Sequence, residues 1–287
     1  MGLESETVHH IGFMQGRLCD PVDGKIQSFP WRDWESEFPA AADLGIHVME
    51  WTLDQERLYQ NPLMTADGQA RIRSVSRQFR VDVPSLTGDC FMQAPFWKAK
   101  GAAKGSLEED FRAICRACST LGITMIVVPL VDNGRIENAA QEDELVEFLL
   151  QHQLLFEALS IQIIFEVDYR PAEVRRFIDR LPSIVFGINY DIGNSAALGF
   201  DPAEEFAAYG TRVLNVHIKD RELGGTTVPL TTGAAQFDVV FAELAKVKYQ
   251  GNFILQTARA SGFDHAGALQ AYSEMAQTWI RRFGLAS

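Results

Sequence analysis

The 287-residue sequence predicts an α/β fold, a single (β/α)8 TIM barrel spanning residues 1–287. Three observations carry that expectation. Eight short apolar runs alternate with helix-like stretches, the pattern of parallel strands joined by helical crossovers. Four of the later runs end on side chains able to hold a cation, Glu166, Asp191, His217 and Gln256, and in a barrel the chemistry gathers at the carboxyl ends of the strands. The phosphate motifs of open doubly wound sheets are missing: no G-x-G-x-x-G follows the first run and no G-x-x-x-x-G-K-[ST] occurs anywhere.

Reading apolar runs against helical periodicity places the strands at residues 8–15, 46–52, 81–86, 124–130, 162–167, 186–191, 213–219 and 252–257. Helix boundaries agree with that register. Gly45 and Gly122 follow helix-like segments as stops, and Asp201-Pro202 with Glu204 and Glu205 reads as an N-cap, a first-turn proline and acids at the positive end of the dipole. Residues 106–121 form an amphipathic pattern with a capping box at Ser106 and Glu109. Cys115 and Cys118 fall inside that pattern as a CxxC, but redox pairs sit at a helix start and zinc pairs need a second pair, so they are expected in the core. No linker, repeat or low-complexity tract divides the chain.

Composition narrows the function. The hydrophobic fraction is 47% and the charged fraction 22%, ordinary globular values, and no apolar run approaches the ~20 residues that span a bilayer. A formal charge of −12 opposes phosphate backbones and argues against a nucleic-acid partner. The acidic start, Met1-Gly-Leu-Glu-Ser-Glu-Thr7, lacks the basic and apolar regions of a secretory signal, so a cytoplasmic location is expected. A homo-oligomer is admitted, not required.

If the four strand ends converge, two carboxylates and an imidazole suit Mn²⁺, Mg²⁺, Co²⁺ or Zn²⁺, and the absence of cysteine favours a harder ion, Mn²⁺ first. The remaining histidines lie elsewhere. His9 and His10 fall in the first run and His47 at the second, where His10 and His47 read as core or rim residues rather than ligands, with His152 and His265 in helical segments.

Five motifs in order resemble one family: Gly12-Phe-Met-Gln-Gly-Arg-Leu18, Ile26-Gln-Ser-Phe-Pro30, Glu50-Trp51, Asp191-x-Gly-Asn194 and Val216-His-Ile-Lys-Asp220. The chain resembles the sugar-phosphate isomerases and epimerases of the xylose-isomerase-like barrels, especially the L-ribulose/L-xylulose-5-phosphate 3-epimerase type. The resemblance implies a divalent metal held by strand-end Glu, Asp, His and a final Glu, and a small-molecule sugar or sugar phosphate as substrate. Glu166, Asp191 and His217 match the first three. Gln256 stands where the family usually has its fourth carboxylate; its carbonyl can still ligate, but it cannot take a proton.

In such enzymes the metal binds the substrate carbonyl and neighbouring hydroxyl, stabilising the enediolate formed when a carboxylate removes the α proton. Glu166 is the implied base. Two-face epimerisation needs a second acid, so Gln256 favours aldose–ketose isomerisation or a single-base elimination, with Glu50 as an alternative second acid if its strand turns it inward. Glu50, Trp51, Lys219, Asp220 and Arg259 are the expected substrate-binding residues, the last three lying after the seventh and eighth runs where barrels often bind phosphate. Residues 224–233 read as a polar loop able to close over a substrate. The alternatives are a dehydratase or lyase acting on a keto-inositol-like compound, a non-catalytic sugar-binding barrel, and a base-directed endonuclease, the last opposed by net acidity and scarce histidines.

Overall fold

The structure, a computed structural model, describes residues 11–260 and 262–285. Its strands are β1 (Ile11–Met14), β2 (Val48–Thr52), β3 (Asp82–Thr87), β4 (Met125–Leu130), β5 (Gln162–Val167), β6 (Phe186–Asp191), β7 (Val213–Ile218), the short β8 (Asp220–Arg221) and β9 (Thr227–Val228), and β10 (Asn252–Leu255). Eight of them close a parallel barrel in the order β1-β10-β7-β6-β5-β4-β3-β2. The barrel expected from periodicity is therefore present. The first run's residues 8–10, with His9 and His10, lie outside the described residues.

Every second residue of a strand faces inward, and the interior is built in layers. Met14, Val48 and Ile254 form a small buried apolar cluster of their own. Gly12 makes room for it: a Cβ there would lie 2.6 Å from Val48 Cγ1 and 2.9 Å from the Val48 carbonyl oxygen. Beside the cluster lie buried polar residues, with Glu50, Ser85, Asn189, Asn215 and His217 all at or near zero exposure. The larger apolar core lies between barrel and helices, where Phe96, Phe111, Phe148 and Phe156 are among its fully packed side chains.

Cys115 and Cys118 are free and buried in the helix Gly101–Leu121, as their amphipathic setting implied. That helix starts five residues before Ser106, after an extended Lys100 with no side-chain cap, so the expected capping box is absent. Gly122 ends it in the left-handed conformation at φ 78°, and Asp201 caps its helix by accepting from Ala203 N–H. Residues 220–228 form a hairpin in which β8 pairs antiparallel with β9 instead of an open loop. Among the described residues no helix is long and apolar enough to cross a membrane.

Candidate metal centre

The strand ends of β5, β6 and β7 bring Glu166, Asp191 and His217 together, with one ligand atom from each lying within 4.8 Å of the others. Register explains the meeting: Asp191 is paired with His217 across β6 and β7, and Asn189 with Asn215 one inward layer below. Both Asn residues follow the same period as the ligands. Asn215 Nδ2 donates to Asn189 Oδ1 at 2.9 Å, and Asn189 Nδ2 donates to Glu166 Oε2 at 3.2 Å.

His217 is oriented from beneath. Its Nε2 lies 2.7 Å from Glu50 Oε1, while Nδ1 faces Glu166 Oε2 at 3.3 Å and Asp191 Oδ2 at 3.9 Å. With Nε2–H donated to Glu50, Nδ1 turns toward the ligand cluster, where Asn189 Nδ2 also lies 3.1 Å from it; a carboxylate behind a histidine is the arrangement that fixes a metal-binding tautomer. Glu50 is itself held by Ser85 Oγ at 2.7 Å and Asn215 Nδ2 at 3.0 Å and is fully buried. Burial opposes charge on the imidazole, but Glu50 and Glu166 on either side outweigh it and push the His217 pKa up to about 10. A cation at Nδ1 would take the place of the extra proton there, facing Glu166 and Asp191.

The Asp191-x-Gly-Asn194 segment has a physical reading residue by residue. Asp191 Oδ1 caps the following short helix by accepting from Asn194 N–H at 2.8 Å, leaving Oδ2 directed at the cluster. Gly193 leaves space for the Lys219 stem, since a Cβ there would lie 2.7 Å from Lys219 Cγ. Asn194 Nδ2 donates to Glu166 Oε1 at 2.6 Å, and Arg221 Nη1 donates to Asn194 Oδ1 at 3.0 Å, which fixes that amide's orientation. Burial works against charge on Glu166, yet His217, Lys219 and Asn194 lower its pKa below the usual carboxylate value. Glu166 therefore enters neutral solution as a carboxylate, the form that accepts a proton. Burial pushes Asp191 the other way, against the attraction of Lys219.

Gln256 lies beside the triad, just past β10, and is joined to it through Lys219. Lys219 Nζ is 2.6 Å from Asp191 Oδ2 and donates to Gln256 Oε1 at 2.9 Å. Gln256 Nε2 donates to Gln27 Oε1 at 2.8 Å, and Gln27 Nε2 donates to Asp89 Oδ2 at 2.7 Å. Asp89, at the start of the helix Asp89–Gln93, is buried, and that burial pushes its carboxyl up to about 7, with Asp54 and Glu166 adding and Gln27 opposing.

The expected substrate-binding residues separate. Lys219 is in the site. Glu50 points inward but lies beneath His217 with no exposed surface, its oxygens engaged by three neighbours. Trp51 faces the opposite side of β2, fully buried against Phe29 and Trp34 with Nε1–H donated to Asn61 Oδ1. Asp220 is fully buried and holds the 233–235 backbone by accepting from Gly233 and Ala235 N–H groups. Arg259 donates to the carbonyls of Gly16, Cys19 and Ile26 and so ties down the segment after β1. His47 is exposed, with Nδ1 on the Arg80 carbonyl.

The sequence reading missed Asn189, Asn215, Ser85 and Asp89. A usable signal existed for the two asparagines: each precedes a ligand by two residues, a polar side chain facing inward in an otherwise apolar strand. None existed for Asp89.

Comparison with known proteins agrees with this architecture. The profile of the xylose isomerase-like TIM barrel family matches residues 38–283. SgbU of Escherichia coli (strain K12), provisionally named an L-ribulose-5-phosphate 3-epimerase, is 22% identical over 242 residues, covering 78% of this chain and 83% of that protein. D-psicose 3-epimerase of Clostridium cellulolyticum H10, solved with D-tagatose, superposes with a TM-score of 0.74 at 12% identity over 95% of this chain and 99% of that one. A xylose isomerase-like TIM barrel protein of Mycobacterium smegmatis, solved with magnesium, superposes with a TM-score of 0.67 at 15% identity over 97% and 98%. With a family match across most of its length and a closed eight-stranded parallel barrel, the chain belongs to the xylose isomerase-like TIM barrel family.

Proposed function

We propose that the protein is a divalent-metal-dependent isomerase or epimerase of a sugar or sugar phosphate, with Glu166 as both metal ligand and base. One observation carries the reading: the ligand atoms of Glu166, Asp191 and His217 gather within 4.8 Å while Glu50 turns the His217 Nδ1 lone pair toward them. The donor set of two carboxylates and one imidazole fits Mn²⁺, Mg²⁺, Co²⁺ or Zn²⁺, and magnesium in the M. smegmatis relative supports a hard ion. Asp191 Oδ2 is buried and faces the ligand cluster with no aligned hydrogen bond, its charge met by the Lys219 ammonium 2.6 Å away.

A bound divalent ion supplies positive charge that polarises a substrate carbonyl and lowers the cost of negative charge on its oxygen. The chain's own groups do the rest. Glu166 takes a proton from the carbon beside that carbonyl, with Asn189 and Asn194 holding its two oxygens in place. Lys219 presents an ammonium beside the ligands, able to pair with developing charge on a substrate oxygen. Gln256 offers no carboxyl at the β10 end, which leaves Glu166 as the carboxylate that both takes the proton and returns it on the same face.

That constraint favours aldose–ketose isomerisation. The same substitution supports a second reading, a single-base elimination from a keto-inositol-like compound. Incubation of Mn²⁺-loaded protein in D₂O with a panel of ketoses, their phosphates and keto-inositols distinguishes them. Deuterium at the α carbon with the neighbouring hydroxyl retained supports the isomerase; loss of that hydroxyl supports the lyase; no exchange on any compound contradicts both. A cytoplasmic setting belongs to the same proposal.

A further inference from the structure

Lys219 brings a positive charge into a site that must bind a positive ion. Its ammonium lies 2.6 Å from Asp191 Oδ2, the oxygen left facing the ligand cluster once Oδ1 has capped the helix at Asn194. The placement is built into the fold. The lysine stem lies in a slot that any side chain at Gly193 would close, and the residue is only 9% exposed. Its second partner is equally fixed. An ammonium only donates, so Gln256 turns Oε1 to Lys219 and Nε2–H to Gln27, whose own Nε2–H is donated to Asp89 Oδ2. Gln256 Oε1 is thereby committed to Lys219, and the next carboxyl along that side of the mouth is Asp89, two amides away.

We propose that Lys219 is an internal competitor for the divalent ion. In the metal-free protein its ammonium neutralises Asp191; ion binding requires it to release Asp191 Oδ2 while keeping its hold on Gln256. Affinity for hard cations rises with ligand charge, and here two anionic ligands face one resident cation. The site accordingly holds its ion weakly and exchanges it readily. The inference rests on the reading that Glu166, Asp191 and His217 take a divalent ion.

The test is calorimetric titration of Mn²⁺ into the metal-stripped full-length protein. Lys219→Met and Lys219→Gln should each bind at least about tenfold more tightly than wild type, equivalent to about 1.4 kcal/mol. Arg221→Gln removes a nearby positive charge that touches no ligand atom and should tighten binding by less than about threefold. Equal or weaker binding in both Lys219 variants, or equal tightening in Arg221→Gln, overturns the proposal while leaving the metal reading intact. If a Lys219 variant is too unstable without metal, melting temperatures with and without Mn²⁺ decide: a larger metal-induced rise than in wild type supports the competitor, and an equal or smaller rise refutes it. Absence of Mn²⁺ binding in wild type and all variants overturns the metal reading and this inference together.

Discussion

The two sides of the barrel mouth are built differently. On the side of β5, β6 and β7, ligands and their supports come from neighbouring strands in register, Asn189 beside Asn215 and Asp191 beside His217. On the side of β1, β3 and β10, the polar chain Gln256–Gln27–Asp89 joins residues from a strand end, a loop and a short helix that are far apart in sequence. The first side carries charge aimed at a ligand. The second carries directed amides that orient Lys219. The contrast shows that with an amide at residue 256 the next carboxyl along this side, Asp89, stands two amides back from Lys219.

The largest expected effect falls on the strand-built side. Glu166→Gln keeps the shape but removes the base, and α-carbon exchange should drop by about 10² to 10⁴-fold with unchanged circular dichroism; exchange within a few-fold of wild type would place the base elsewhere. Next is Glu50→Gln, which puts an amide where a carboxylate accepts from His217, Ser85 and Asn215. Losing such an orienting partner typically costs about 10 to 100-fold in metal affinity, measurable by Mn²⁺ titration; unchanged affinity would show that Glu50 does not set the tautomer.

Smaller effects test the amide-built side. Gln256→Glu adds a negative charge beside Lys219 and should tighten Mn²⁺ binding by several-fold, about 1 kcal/mol. Should affinity stay the same, residue 256 contributes nothing to the ion's site. Asp89 supplies a pH test. Its carboxyl titrates at about 7 in the folded protein against a reference of 3.8. Between those values the folded state keeps a proton that the unfolded chain has lost, so this group's contribution lowers stability as pH rises through the window. Asp89→Asn retains an acceptor for Gln27 without the ionisation. Its melting temperature relative to wild type should therefore climb between about pH 4 and pH 7 and level off above, worth about 4 kcal/mol at the plateau. A difference that stays flat with pH would contradict a buried, raised carboxyl at this position.

How far the sequence revealed this depends on range. The eight strands were legible because each is a short apolar run bounded by turns, and the convergence of Glu166, Asp191 and His217 because each stands at the end of such a run. Strand alternation also made part of the error avoidable: if Glu50 faces inward its neighbour Trp51 must face out, and if Lys219 enters the site Asp220 must turn away. Expecting both members of each pair at the substrate ignored that geometry. Arg259 was placed after the right strand, but its donors go to loop carbonyls, a use that strand position alone does not reveal. Asp89 and Gln27 were beyond reach, since their link depends on how the loop after β1 folds over the mouth, and no local pattern encodes it. The capping box at Ser106 failed for a related reason: a matching tetrapeptide inside a longer helix looks the same as one at its start.

The central claim is that Glu166, Asp191 and His217 form one cation site. Anomalous diffraction from crystals grown with Mn²⁺ and collected at the manganese edge tests it most directly. A single strong peak is expected within about 2.0–2.4 Å of an oxygen from Glu166, an oxygen from Asp191 and His217 Nδ1. No peak there at full Mn²⁺ loading, or a peak bound by other residues, would contradict it.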